Sequence, residues 1–247
     1  MFRPIRLALA GLVVTHAAHA HEFWIEPTVS GTQVTVEVHV GEHFEGEVFP
    51  FEPRAYETAL WVGPETRQAL HTRPLAQRDL SLAAQGEGLH VLAIASFGQT
   101  LRHPSLQDFK EFADSIGANH VLREIPPVAD EDGRLRETYR RFSKTLVHFG
   151  ERRDEDRRLG LQYEWVQGSD GFTLYSGGTP AAHHPVDVFC RQADMQVRES
   201  RLRTDDTGNV APSVKPAERC LINAVFLRPH EDGRRWSSDW VSLLWDS

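Results

Sequence analysis

The residues best suited to chemistry lie near the start of the chain, in the segment His21–Pro27 (HEFWIEP). The twenty residues before it have the features of a secretory signal peptide. They have a basic start, an apolar run over Leu7–Val14 and two small residues near the end, Ala18 and Ala20. Small residues three before and one before the cut are typical of signal-peptide cleavage. Cleavage after Ala20 would make His21 the first residue of the mature protein.

An N-terminal histidine can chelate a metal ion, because its imidazole and its free α-amine can bind the same ion. The α-amine has a pKa of about 8, so a divalent cation can displace its proton at neutral pH. Imidazole and amine nitrogens suit Cu, Ni, Co and Zn rather than Mg or Ca. The segment therefore predicts a transition-metal site anchored by His21, unless a histidine follows the cleavage site by chance.

A tight transition-metal site needs three or four donor atoms, so further ligands are required. The best candidates are His39, on the polar face of a predicted strand, and His43, just beyond its end. Glu22 and Glu42 could add an oxygen. A secondary pair of candidate ligands is His183 and His184, which are adjacent in a loop. The alternative for each of these histidines is an ordinary surface side chain.

Composition limits the class of protein. The chain has 247 residues and a formal charge of −8, which becomes about −10 once Arg3 and Arg6 are removed with the signal. An acidic protein is a poor candidate for binding nucleic acid, which needs a basic surface. After Val14 no apolar run approaches the ~18 residues that span a bilayer. We therefore expect an exported mature protein without a membrane span, located in the periplasm.

Hydrophobic periodicity predicts strands in the first and last thirds of the chain. In Gln33–Val40 valines alternate with polar residues, which is the period of a half-buried strand. Further predicted strands are Ala59–Val62, His90–Ser96, Leu159–Val166, Val186–Cys190, Met195–Ser200, Leu221–Leu227 and Trp240–Trp245. Helical spacing of apolar residues predicts helices over Leu106–Leu122 and Arg134–His148. The charged segment Gly150–Arg158, with balanced signs, is interpreted as a solvated connection without a partner.

These elements predict a mainly β protein with two β-sandwich domains and a helical segment between them. The predicted boundaries are a signal peptide over 1–20, an N-terminal sandwich over 21–103, a helical insertion over 104–150 and a C-terminal sandwich over 151–247. The two cysteines, Cys190 and Cys220, each lie at one end of an apolar, strand-like run. In an exported chain an even count favours one disulfide between facing strands, rather than a thiolate metal pair.

Five segments together resemble a known family. They are His21–Pro27, Val40–Gly46, Tyr139–Val147, Leu159–Leu161 and Arg203–Gly208. They are similar to domain of unknown function family 4198, exported bacterial proteins described as periplasmic components associated with nickel or cobalt uptake. The resemblance implies an immunoglobulin-like β fold, a role with transition metals and a metal-uptake membrane transporter as partner. Members often carry a histidine in the apolar strand near the C-terminus, where this chain has Phe226, so a ligand is lost here or replaced.

The sequence thus favours a periplasmic protein that binds Ni, Co or Cu, with His21 as anchor and His43 and His39 as auxiliary ligands. One alternative is a copper oxidoreductase that holds its metal in a histidine brace. In that reading Trp24 is an aromatic wall beside the ion; otherwise it anchors the first strand in the core. The other alternative is a metal-free structural or binding module. The sequence contains no GxSxG, HExxH, P-loop or dinucleotide-binding motif.

Overall fold

The structure is a computed structural model that describes residues 22–52, 55–70, 80–231 and 233–247. The predicted signal peptide and His21 lie outside the described residues. Within those residues, no helix is both long enough and apolar enough to cross a membrane.

The described chain is mainly β, as predicted. Its strands are β1 (Glu22–Ser30), β2 (Gln33–Glu42), β3 (Glu45–Phe49), β4 (Tyr56–Val62), β5 (Arg67–Ala69), β6 (Leu80–Ala83), β7 (Gly88–Ser96), β8 (Gln99–His103), β9 (Leu135–Phe149), β10 (Tyr163–Gly168), β11 (Gly171–Ser176), β12 (Thr179–Pro180), β13 (Pro185–Arg191), β14 (Val197–Arg203), β15 (Asn209–Val210), β16 (Arg219–Pro229) and β17 (Arg235–Asp246). Two helices, α1 (Leu106–Ser115) and α2 (Asn119–Glu124), lie between β8 and β9.

A nine-stranded central sheet organises the described residues, with the strand order β14-β13-β16-β17-β9-β7-β4-β5 and β8 pairing with β9. The parallel pair β9–β17 joins strands from the early part of the chain to those from the late part. The division into two sandwich domains stays a prediction, but strands from both predicted domains belong to this one sheet.

Two smaller sheets cover the central sheet. The first sheet holds β1, β2, β3 and β6, and the third sheet holds β10, β11, β12 and β15. One buried cluster, with Val34, Val36 and Ile94, joins the first sheet to the central sheet. Another, with Trp165 and Ile222, joins the third sheet to the central sheet. Sheet packing on both faces agrees with the predicted sandwich layers.

The edge of β1 is docked onto the central sheet by side-chain hydroxyl groups. Thr145 Oγ1 of β9 donates to the carbonyl oxygen of Ile25 at 2.7 Å. Ser242 Oγ of β17 donates to the carbonyl oxygen of Phe23 at 2.6 Å. An unpaired carbonyl at a buried strand edge is costly, so these two bonds satisfy the edge and set where β1 lies.

The two short helices pack beside the first sheet, on the central sheet. Ser105 caps α1 by accepting from the backbone N–H of Asp108, as helix N-termini require. Phe109 and Phe112 of α1 are buried in a cluster with Trp236 and Trp240 of β17. The helical prediction for Leu106–Leu122 is confirmed, with an interruption at Gly117.

The helix predicted over Arg134–His148 is wrong, because this segment is the central strand β9. Residues 142–147 are all buried, since the sheet is covered on both faces. Strands covered on both faces do not show a clean apolar and polar alternation. Polar side chains such as Ser143 and Lys144 therefore lie in the core, and the remaining apolar positions fall at helix-like spacing by coincidence.

The interpretation of Gly150–Arg158 as a solvated connection without a partner is also wrong, most clearly at Asp156. The side chains of Lys144 and Asp156 are almost fully buried, 1% and 0% exposed, and form an ion pair with Nζ–Oδ2 at 2.7 Å. Lys144 Nζ also donates to the carbonyl oxygens of Trp165 and Arg157. The connecting segment is thus pinned to the sheet by a buried charge.

The structure contains the predicted disulfide between Cys190 and Cys220. The two residues are directly opposite each other on β13 and β16, which are neighbouring strands of the central sheet. The bridge therefore joins two strands of one layer and does not pin two facing layers together.

The docking of β1 can be tested by removing one hydroxyl group at a time. Thr145→Val and Ser242→Ala each leave a buried carbonyl oxygen of β1 without its donor, so each should lower the free energy of unfolding by about 1–3 kcal/mol. Thr138→Val, at an exposed position of the same strand as Thr145, is the control and should change it by less than about 0.5 kcal/mol. Urea denaturation, followed by circular dichroism, measures the free energy of unfolding of each variant. Equal small effects in all three variants would contradict the docking role.

The buried ion pair gives a second test of the fold. Asp156→Asn leaves the Lys144 ammonium buried without an anion, and should cost about 3–5 kcal/mol of folding free energy. Glu155→Gln removes an equal charge at the exposed neighbouring position and should be nearly neutral. The same urea denaturation measures the free energy of unfolding of both variants. A loss below about 1 kcal/mol in Asp156→Asn would show that the ion pair is dispensable.

Candidate functional site

The start of β1 lies beside the turn that carries His43. Glu22, the first described residue, is opposite Gly41 in the β1–β2 ladder. The connection from β2 to β3 has two residues, His43 and Phe44, with φ of 54° and 63°. Two positive φ angles are typical of the type I′ hairpin turn, which prefers Asn and Gly. Bulky residues there cost about 1–3 kcal/mol each, and such strain clusters at functional sites.

The carboxyl group of Glu22 is enclosed in this corner. Its Oε2 is shielded from solvent and has no hydrogen-bond partner. Desolvation by burial, and then the nearby carboxylates of Glu42 and Asp187, raise the pKa of Glu22 to about 8. A buried carboxyl group with one unsatisfied oxygen and two acidic neighbours is an environment that a cation would stabilise.

We call Glu22, Glu42, His43 and Asp187 the β1-end cluster. Asp187 is held by Arg201, whose Nε lies 2.6 Å from Asp187 Oδ1. The Nε2 atom of His43 lies 3.2 Å from Glu199 Oε2 on β14. The ring of His43 also contacts Phe189 edge-on, with the centroids 5.1 Å apart.

His39 lies on β2, before the turn at His43, and contacts a different partner. It is opposite Trp24 in the ladder, and the two rings stack with their centroids 5.1 Å apart. Its Nε2 is shielded, has no hydrogen bond, and lies 3.5 Å from Glu37 Oε2. Trp24 itself is fully buried against Phe44, Phe189, Leu221 and Leu244. Trp24 therefore anchors β1 in the core, the first of its two predicted roles.

The two residues of the secondary pair, His183 and His184, contact different partners. His183 is exposed, with Nε2 2.9 Å from Asp206 Oδ1. His184 stacks on Phe226 with the centroids 4.0 Å apart, and its Nε2 lies 3.1 Å from the carbonyl oxygen of Val225. Burial lowers the pKa of His184 to about 4, so the ring is neutral at pH 7. Phe226, at the position where relatives were expected to carry a histidine, is thus covered by a histidine from the loop before β13.

In the part of the chain that the structure describes, one group of three potential ligand atoms lies within 4.8 Å of one another. It consists of Cys190, Glu218 and Cys220, and its sulfur atoms form the disulfide. His39 and His43 do not belong to such a group among these residues. The ligand set anchored by His21 stays a prediction, because His21 lies outside the described residues.

A cleft of about 770 Å³ lies elsewhere in the described residues. Its walls include Val29, His148, Arg153, Phe172 and Trp245. His39, His43, His183 and His184, the predicted metal ligands among the described residues, do not line it, so its size does not make it the metal site. The unsatisfied buried carboxyl group is a better guide to cation chemistry than cleft volume.

The sequence did not predict that β13 and β14 contribute residues to the surroundings of Glu22 and His43. Asp187 and Glu199 lie more than 140 residues after Glu22, and only the pairing order of the central sheet brings these strands beside β1. Their sequence context is that of ordinary strand residues, so no local pattern distinguishes them.

Comparison with known families gives one result. The sequence profile of the family described as a domain of unknown function, DUF4198, matches residues 18–227. The chain belongs to this family. The match begins beside the predicted cleavage site and ends within β16, so the β1-end cluster lies inside the family domain. No curated protein matches the chain.

The partly buried position of His184 predicts a pH effect on stability. Its pKa is lower in the folded state than its ordinary value of 6.5, so the unfolded chain binds more protons between about pH 4 and 6.5. This contribution is fully present above pH 6.5 and is lost as the pH falls towards 4. Urea denaturation at pH 7.0, 5.5 and 4.5 should therefore show a smaller loss of stability in His184→Gln than in the unchanged protein.

His183→Gln is the matched control, because its side chain is exposed at the adjacent position. It should keep nearly the pH dependence of the unchanged protein. If His184→Gln and His183→Gln lose stability in parallel on acidification, His184 is not the group responsible.

Proposed function

We propose that this protein is a periplasmic binding protein for a divalent transition-metal ion, Ni, Co or Cu, and an accessory to metal uptake. The α-amine and imidazole of His21 are the anchor ligands. His43 and His39 are the auxiliary nitrogen ligands, and Glu22 supplies an oxygen. A metal-uptake membrane transporter is the proposed partner.

The observation that carries this proposal is the state of Glu22. Its carboxyl group directly follows His21 in the sequence and has a shielded oxygen without a partner. It lies near the carboxylates of Glu42 and Asp187, and without a cation it is held protonated. A bound cation would reverse this cost by attracting the ionised form. The strained turn at His43 supports the same location, because it places a histidine beside that carboxyl group.

The chemistry of the donors sets the expected metal preference. Two nitrogens from one residue, with a further imidazole and a carboxylate oxygen, favour borderline transition metals over Mg and Ca. The Irving–Williams order then predicts the tightest binding for Cu²⁺, with Ni²⁺ above Co²⁺. Metal binding must displace protons from the amine, the imidazole and Glu22, so it should weaken as the pH falls.

The test is calorimetric titration of the mature protein, with His21 confirmed as its first residue, against Ni, Co, Cu and Zn. Adding one alanine before His21 converts its amine into an amide and should weaken binding at least tenfold. Glu22→Gln removes the proposed oxygen ligand and should weaken binding several-fold without unfolding the protein, because the carboxyl group is already held neutral.

Glu47→Gln, at an exposed position of β3, is the matched control and should bind as the unchanged protein does. Equal affinity in the alanine-extended form would remove the N-terminus from the site. The absence of binding for all four metals would leave a metal-free binding module. A purified mature protein that begins at another residue would also overturn the proposal.

A further inference from the structure

The side chain of Arg141 lies on the other side of β1, against Phe23. Strand β9 pairs with β7 over residues 142–149 and with β8 over residues 135–139. Arg141 lies in the gap between these two ladders, where its backbone N–H donates to Ser96 Oγ at 2.9 Å.

Aromatic rings surround the guanidinium group of Arg141. Its Cζ lies 5.3 Å from the ring centroid of Phe23 and 5.0 Å from that of Tyr139. Tyr56, which is buried, is close enough to interact with it electrostatically. Burial raises the pKa of Tyr56 to about 12, so its hydroxyl group keeps its proton and can donate a hydrogen bond. Ring contacts stabilise the cation through its faces but leave its N–H groups without acceptors.

Arg141 differs from the other arginines in similar surroundings. Six arginines in the described residues are half-buried, and five of them form an ion pair with a carboxylate, namely Arg140, Arg191, Arg198, Arg219 and Arg228. The side chain of Arg141 has no such partner there, and its Nε is shielded from solvent without an acceptor. An unpaired, partly desolvated cation in an acidic protein is costly unless something else neutralises it.

We propose that Arg141 and Tyr56 bind a small oxyanion, a carboxylate or a phosphate, in an aromatic-walled site beside β1. The guanidinium group supplies the charge and two N–H donors from its outer edge, a geometry that suits two oxygens of one anion. The hydroxyl group of Tyr56 supplies a further donor. Phe23 and Tyr139 hold the guanidinium plane in place, so little side-chain freedom is lost on binding.

This site is independent of the proposed metal site. Phe23 points to the cluster between the first and central sheets, whereas Trp24 and its neighbours face β13, β16 and β17. A protein that binds no metal could still bind the anion, and the reverse also holds.

The experiment titrates the metal-free mature protein with sodium phosphate, acetate and succinate, with sodium chloride as the ionic-strength control. The arginine Nε–Hε signals in nitrogen-15 NMR spectra report binding directly. We expect saturable shifts of the Arg141 signal with at least one oxyanion and none with chloride. Shifts with phosphate alone, or with the two carboxylates alone, would identify the chemical class of the ligand.

Arg141→Gln should weaken this binding by at least tenfold, since it removes the charge and the paired donors. Because this signal is then lost, the backbone amide signals around Ser96 are followed instead. Arg136→Gln, at an exposed position of the same strand, makes the same change in net charge and should bind with unchanged affinity. Tyr56→Phe removes only the hydroxyl group and should weaken binding several-fold, which keeps the test valid if Arg141→Gln unfolds. No saturable shift in the unchanged protein, or equal affinity in Tyr56→Phe and Arg136→Gln, would overturn the proposal.

Discussion

The hydrogen bonds from Thr145 and Ser242 to the carbonyl oxygens of β1 are the constraint on which the candidate sites depend. They attach the edge of the first sheet to the middle of the central sheet. The two faces of β1 therefore contact different groups of residues. On one side Trp24 packs against residues of β13, β16 and β17 and leads to Glu22. On the other side Phe23 lies over the guanidinium group of Arg141. The docking of a single strand thus forms both environments.

Ion pairs hold the same strand along its length. Glu26 accepts from the Nε1 of Trp24 and pairs with Arg191 and Arg219, which together lower the pKa of its carboxyl group despite its partial burial. Glu26 and Glu22 lie on the same face of β1, four residues apart, yet their surroundings differ. Glu26 has two guanidinium partners, whereas Glu22 has two carboxylate neighbours. This contrast between the two carboxyl groups supports the proposal of a cation site at the end of β1.

Buried polar groups on the central sheet specify how the other layers attach. Lys144 on β9 reaches Asp156 in the segment that leads to the third sheet. On the opposite face, Glu137 of β9 pairs with His103 at 2.5 Å and accepts from Ser238 beneath the helices. Such buried pairs add little net stability, but each is satisfied in one arrangement only. They therefore select the packing of layers that apolar contacts alone would leave less defined.

Local patterns in the sequence were sufficient for many elements. The alternating valines of β2, the capped apolar spacing of α1 and the Asp205–Gly208 turn, in which Asp205 accepts from the backbone N–H of Thr207, need only neighbouring residues. The sequence also located the disulfide residues and was sufficient to recognise the family. It failed at β9, because a strand covered on both faces has no period-2 pattern, and at Asp156, because its partner Lys144 was assigned to a helix.

For the candidate site, the sequence alone predicted metal-binding chemistry for the residues after the predicted cleavage site and for the nearby histidines, since this prediction depends on residue type and local spacing. It stays a prediction. Only the tertiary structure could show that Glu22 is buried beside Asp187, that His39 stacks on Trp24 and that Arg141 lacks a carboxylate partner. The reason is physical: burial and charge pairing depend on groups that strand order brings together over more than a hundred residues. A side chain's type sets what it can donate or accept, and the fold sets whether a partner is there.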